Sequence, residues 1–230
     1  MKKTQLVCLG LAFGLGMLTR GLAAAETEPS LPTFTHPREI TNPYLPLGSL
    51  KQDVLVSKHD RVERTAKPEL HKTFQIGNQT VEALVVEDRE YQNGALEEVA
   101  LDYFAQDDAG AVYYLGEDVD EYKNGKISGH SGAWLYGKDT RRLGLLIPAH
   151  PKIGDKFKSE DVPGITTEDD EVISVSQTGK ASGVTYKNCI QIKEKLSDGQ
   201  TEYKLYAAGV GCVKESEPDA QFVLKSHKTK

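Results

Sequence analysis

Between residues 81 and 136 the chain falls into strand-length runs rich in β-branched and aromatic residues. They are punctuated by Asn93-Gly94, Asp107-Asp108-Ala109-Gly110 and Asn124-Gly125. Asn-Gly pairs favour two-residue turns with φ > 0 at both central positions, and Gly110 supplies the left-handed position of a slightly longer turn. The pattern predicts strands over 95–106, 111–122 and 126–136, opened by one over 80–88. Strands joined this tightly are antiparallel neighbours, so the segment reads as a meander. Its faces are not cleanly divided. Val99, Leu101, Tyr103 and Ala105 share one side, and Ala100, Asp102, Phe104 and Gln106 the other; Tyr113, Leu115 and Val119 oppose Val112, Tyr114 and Tyr122. Strands apolar on both sides are either covered twice or line a cavity.

The rest of the chain extends the same grammar. Residues 26–48 carry Pro29, Pro32, Pro37, Pro43 and Pro46 without a period and predict an extended lead-in. Val54, Val56 and Val62 sit among Lys58, Arg61, Glu63 and Arg64, a charged pattern suited to a sheet edge or a solvated face. Residues 137–154 form a connector long enough to hold a helical turn or cross a sheet edge. Strands follow over 156–161, 171–177, 184–195, 201–207 and 210–215, with a short last one over 221–225. No helical period of useful length occurs after the leader. The expectation is all-β: a single-domain antiparallel meander of long strands, as a curved sheet or half-barrel or as a sandwich. Residues 49–216 form the body and 217–230 a final strand or tail.

Residues 1–25 change the picture of where the protein works. Lys2 and Lys3, an apolar run from Leu6 to Leu18, and Ala23-Ala24-Ala25 form a signal-peptide pattern. The run of about 13 residues is short of the ~20 that span a bilayer. Removing Lys2, Lys3 and Arg20 with the leader moves the net charge from −6 to −9, leaving 25 basic residues against 34 acidic. The expected location is periplasmic or extracellular, without a transmembrane segment after cleavage. An acidic chain excludes a nucleic-acid partner, which needs a basic face.

Cys189 and Cys212 survive cleavage. Strict alternation from Val184 places Cys189 on the polar side of its strand, and an exported protein favours a Cys189–Cys212 disulfide. Such a bridge is worth about 3 kcal/mol in the chain-entropy model. Two unpaired thiols are the alternative.

Candidate chemistry is sparse. Gly129-His130-Ser131-Gly132-Ala133 resembles a nucleophile elbow, yet Ala133 replaces the last glycine and no helix follows. The acidic clusters Asp107/Asp108, 117–121 and 168–171 read as solvated turn charge, because their spacing is wrong for a calcium-binding loop. The histidines show no zinc spacing. No cofactor is implied. Tyr103, Tyr113, Leu115, Trp134 and Tyr136 are the candidate ligand-contacting residues, as an apolar patch across neighbouring strands; core packing is their commoner use.

Three motifs add a resemblance that spans about residues 40 to 216. Asn42-Pro43-Tyr44-Leu45-Pro46-Leu47, Pro151-Lys152-Ile153-Gly154-Asp155-Lys156-Phe157 and Gly209-Val210-Gly211-Cys212-Val213-Lys214-Glu215 resemble those of a family of exported bacterial β-rich proteins without assigned catalytic residues. Cys212 stands where that family usually has an apolar residue. The resemblance implies an exported β domain. By fold-level analogy with periplasmic lipoprotein carriers, it suggests a hydrophobic, lipid-like ligand on a concave sheet face. The alternatives are a hydrolase or metal-dependent enzyme using His130, Ser131 and His150, and a structural envelope protein.

Overall fold

The fold is that of a computed structural model, of which residues 31–230 are described. The leader pattern and residues 26–30 of the lead-in lie outside the described residues. One antiparallel sheet of 15 strands dominates, and it does not close into a barrel. In chain order the strands begin β1 (Leu50–Val56), β2 (Asp60–Ala66), β3 (Lys72–Ile76), β4 (Gln79–Gln92), β5 (Ala95–Gln106), β6 (Val112–Lys123) and β7 (Lys126–Gly129). Two short strands follow, β8 (Trp134–Leu135) and β9 (Gly144–Ile147). The second half holds β10 (Lys156–Val162), β11 (Thr166–Ala181), β12 (Val184–Leu196), β13 (Thr201–Ala207), β14 (Gly211–Ser216) and β15 (Gln221–Thr229).

The spatial order is β10-β11-β12-β13-β14-β15-β1-β2-β4-β5-β6-β7, with β3 on β4 and both β8 and β9 on β6. The chain's first and last strands are therefore neighbours at the middle of the sheet. The expected hairpins form: Asn93, Gly94, Asn124 and Gly125 all have positive φ, as does Gly110. The curl brings β10, at one end of the order, beside β9 at the other. Side chains bridge this seam: Trp134 Nε1 donates to Glu160 at 3.0 Å, Thr140 Oγ1 to the Asp161 carbonyl at 2.9 Å and Arg142 to Asp161 Oδ1 at 2.8 Å. Among the described residues no helix is long and apolar enough to cross a membrane.

Two apolar clusters hold the sheet. The inner one gathers Leu55, Leu84, Val86, Val172, Ile190 and Ile192, all at most 3 % exposed, and is capped by Ile40, Leu45 and Leu47 of the lead-in. The outer one packs Phe34, Phe74 and Ile76 against Val81, Val85, Tyr103 and Leu115. The two-sided meander is thus covered twice at this end, with the β3 hairpin and the lead-in forming the second layer.

Asn42 fixes the cap. Its Nδ2 donates to the carbonyls of Gly110 (2.8 Å) and Pro148 (3.2 Å), and its Oδ1 accepts from Tyr44 N (2.9 Å). The side chain is almost wholly buried. Asn42→Ala orphans buried backbone groups on three segments, and a loss of about 2 kcal/mol is expected in urea denaturation. A loss below about 0.5 kcal/mol would show that water replaces the amide.

Several expectations change. The charged strands β1 and β2 lie at the middle of the sheet and not at its edge; Arg61 and Glu63 pair at 2.9 Å on the partly exposed outer face, as the solvated alternative expected, while Arg64 turns to the inner one. The predicted strand 126–136 breaks at a turn containing Gly132 (φ 89°) and resumes as β8. The connector holds strand β9 in place of a helical turn. Gly116 (φ 123°) breaks the alternation of β6, so Val119 pairs with Ala100 and faces inward while Leu115 faces outward. A Cβ on Gly116 would stand 2.2 Å from the Trp134 carbonyl oxygen, so only glycine lets β8 approach.

The cysteines are corrected as well. Both are free and buried. Asn188 (φ 54°) interrupts strict alternation and turns Cys189 into the core, against the polar side expected. Cys212 donates to the Lys214 carbonyl at 3.4 Å, and burial pushes its thiol up to about 12. Thiol reagents are expected to label neither residue in the native protein and both after denaturation; rapid native labelling would overturn this burial.

Candidate functional site

Directly opposed residues of neighbouring antiparallel strands share a face. Arg64 opposes Asp88, Val86 opposes Asp102, and Asp102 opposes Glu117. On the other wall Glu160 opposes Glu168, Asp170 opposes Glu194, and Lys204 opposes both Ile192 and Glu215. These faces continue from the buried Val86, Val172 and Ile192 of the inner cluster. The inner surface is therefore an apolar floor bearing a belt of ionisable groups, in which carboxylates far outnumber Arg64 and Lys204.

The pairing is specific. Arg64 Nε donates to Asp88 Oδ2 at 2.8 Å, while Asp88 Oδ1 is buried without a hydrogen-bond partner. Tyr114 OH donates to Asp102 Oδ1 at 2.7 Å and its ring meets Trp134 edge-on at 5.4 Å. Lys204 Nζ lies 2.7 Å from Glu194 Oε2 and 3.4 Å from Glu215 Oε1. Ser159 binds its neighbours through both groups, N–H to Asp170 at 2.8 Å and Oγ to Glu168 at 2.7 Å. Thr166 closes the row by donating to Glu160. Carboxylate oxygens of Glu168, Asp170 and Glu194 fall within 4.8 Å of one another.

Crowding shows in the protonation of these acids. Burial, then repulsion from Asp102 and Glu160, pushes Glu117 up to about 9. Burial and Glu168 push Asp170 up to about 7, and burial holds Glu194 and Asp102 well above the usual carboxylate range. Glu215 goes the other way: burial opposes its charge, but Lys204 and Arg64 outweigh it and hold the carboxyl below the ordinary value. Such clusters of perturbed, buried acids mark candidate functional sites.

The residues expected from sequence are divided by the sheet. Tyr103 packs on Phe74 in the outer cluster and donates to Asp118 at 2.6 Å. Tyr113 meets Phe34 edge-on at 5.5 Å, while Leu115 and Tyr136 belong to that same filled cluster. Trp134 alone of the five reaches the inner belt. The groups of the hydrolase alternative do not converge. His130 Nδ1 contacts the Val119 carbonyl and Asp120, Ser131 Oγ donates to Glu121 at 2.9 Å, and His150 is exposed on the segment before β10.

The acids were expected at turns, whereas Glu117, Glu168 and Asp170 lie on strands and point inward. Parity carried the signal. Leu84, Val86 and Asp88, and likewise Ile190, Ile192 and Glu194, keep one face while changing from apolar to acidic. No protein-family model, curated protein or solved structure matches the chain.

Proposed function

We propose that this chain is an exported, non-enzymatic binding module whose inner sheet face takes a positively charged ligand. The carrying observation is the convergence of Glu168, Asp170 and Glu194 within 4.8 Å, with Lys204 as their local countercharge. A cation in this belt replaces the proton or ammonium that the acids now need, and the unbonded Asp88 Oδ1 offers a further acceptor. The lipid-like ligand expected from sequence has weaker support, because the apolar floor is already filled by Leu55, Ile190 and Ile192. The signal-peptide pattern supports export. The separation of His130, Ser131 and His150 favours binding over hydrolysis.

The test is thermal unfolding of the mature protein with calcium, manganese or spermidine at constant ionic strength. A saturable rise in melting temperature is expected with at least one cation, shrinking in Glu168→Gln. Absence of any cation-specific shift, with a lipid retained in native mass spectrometry, would replace this reading by the lipid carrier.

A further inference from the structure

The opposite face of the sheet carries a second set of converging groups, of the other charge. Beyond its pairing with the body of β12, β11 bends across the outer surface of β13, β14 and β15. Ser182, at the turn of the β11–β12 hairpin, anchors this arm by donating to the carbonyls of Leu224 (2.7 Å) and Lys225 (2.8 Å). Between arm and sheet lies a groove of about 350 Å³. The ladder aligns Gln191, Leu205, Lys214 and Val223 in one row across four strands, with Tyr203, Ser216 and Gln221 in the next. Leu205 and Val223 form an apolar floor, Gly179 of the arm lies over Leu205, and Gln177 and Lys180 line the groove on either side of it.

Two features separate this groove from ordinary surface. Lys180 and Lys214 line it, and among the described residues no carboxylate does, on a chain of net charge −6. Moreover, the side chains of Gln177, Gln191, Gln221, Tyr203 and both lysines have no hydrogen bond or ion pair within the protein among the described residues. Three carboxamides, two ammonium groups and a 37 % exposed tyrosine thus line one groove, with water as their only partner.

We infer that this groove is a binding site for a sugar acid. Amides present paired donors and acceptors suited to vicinal hydroxyls. An ammonium pairs with a carboxylate through charge-assisted hydrogen bonds. The tyrosine ring supplies an apolar face with a polar tip, suited to the C–H side of a pyranose. The volume fits one or two such rings and lies at the small end of ligand pockets.

The experiment is calorimetric and NMR titration of the mature protein with glucuronate, glucose and acetate, and with a short oligouronate. Saturable glucuronate binding is expected, tighter than that of glucose or acetate. Lys180→Gln and Lys214→Gln should each weaken it about tenfold, the equivalent of one 1.4 kcal/mol interaction, and Tyr203→Ala should weaken glucose and glucuronate alike. All three positions are solvent-facing, so unchanged melting temperatures would certify the folds. Tighter oligouronate binding would assign the site to an acidic polysaccharide, and equal binding to the free sugar acid. Equal responses to acetate and glucuronate, no saturable binding, or affinity unaltered by all three substitutions would overturn the inference.

Discussion

Lys204→Met is expected to destabilise the protein by ~3–5 kcal/mol at pH 7.5, the range for removing one partner of a buried ion pair. The methionine keeps most of the side-chain volume, so the loss is electrostatic rather than a cavity. Glu215 has 12 % of its side chain exposed and Lys204 21 %, which leaves little water to compensate. The pH dependence identifies the cause. Glu215 is held below its ordinary value by Lys204 and Arg64 despite burial. Its stabilisation is present above the unfolded-state pKa of about 4.3 and is lost as pH falls through the folded value. The deficit of Lys204→Met should therefore shrink between pH 7.5 and about pH 2.5, most of the change falling below the unfolded-state value. Urea denaturation at both pH values measures it; a deficit that is pH-independent, or below about 1 kcal/mol, would show that the ammonium does not hold the belt together.

Glu117→Gln is expected to stabilise the protein at alkaline pH. With Glu117 pushed up to about 9 and Asp170 to about 7, the folded chain keeps protons that the unfolded chain has released. Stability therefore falls as pH rises from the unfolded-state values towards the folded ones. A full displacement at 1.36 kcal/mol per unit would reach about 6 kcal/mol for Glu117. Its partial exposure and the neighbouring Asp102 and Glu160 reduce the expected gain of the neutral amide to about 2 kcal/mol at pH 9. The gain should vanish at pH 4, where the native carboxyl is already protonated. Destabilisation by Glu117→Gln at pH 9 would mean that the carboxylate is charged and used in the folded state. These effects run opposite to that of Glu215, and the raised acids outnumber it, so the wild type is expected to be more stable near pH 5 than at pH 9.

Both predictions concern groups that strand patterning exposes only when parity is followed past the last apolar residue. Ile190 and Ile192 mark the inner face of β12, and Glu194 continues it. Leu84 and Val86 mark that of β4, and Asp88 continues it. A sheet curled on itself has a rim as well as a floor, and acidic residues two steps beyond the apolar ones fall on that rim. Of the five residues proposed from the meander, Tyr103, Tyr113, Leu115 and Tyr136 gather in the filled outer cluster, the first three because they share the outer parity, while Trp134 reaches the inner belt from a separate short strand.

The chain's own residues determined that it would be all-β, that its long strands would run antiparallel, and where the meander would reverse. Those features follow from local chemistry: asparagine and glycine tolerate positive φ, and apolar groups recur at strand spacing. Which strands would become neighbours across the molecule depended on contacts far apart along the chain. The pairing of β1 with β15, the curl that brings β10 to β9, and the breaks in alternation at Gly116 and Asn188 belong to tertiary structure. Only that arrangement gathers Glu168, Asp170 and Glu194 on one side and Lys180 and Lys214 on the other, because like charges come together only where the packing of the whole sheet outweighs their repulsion.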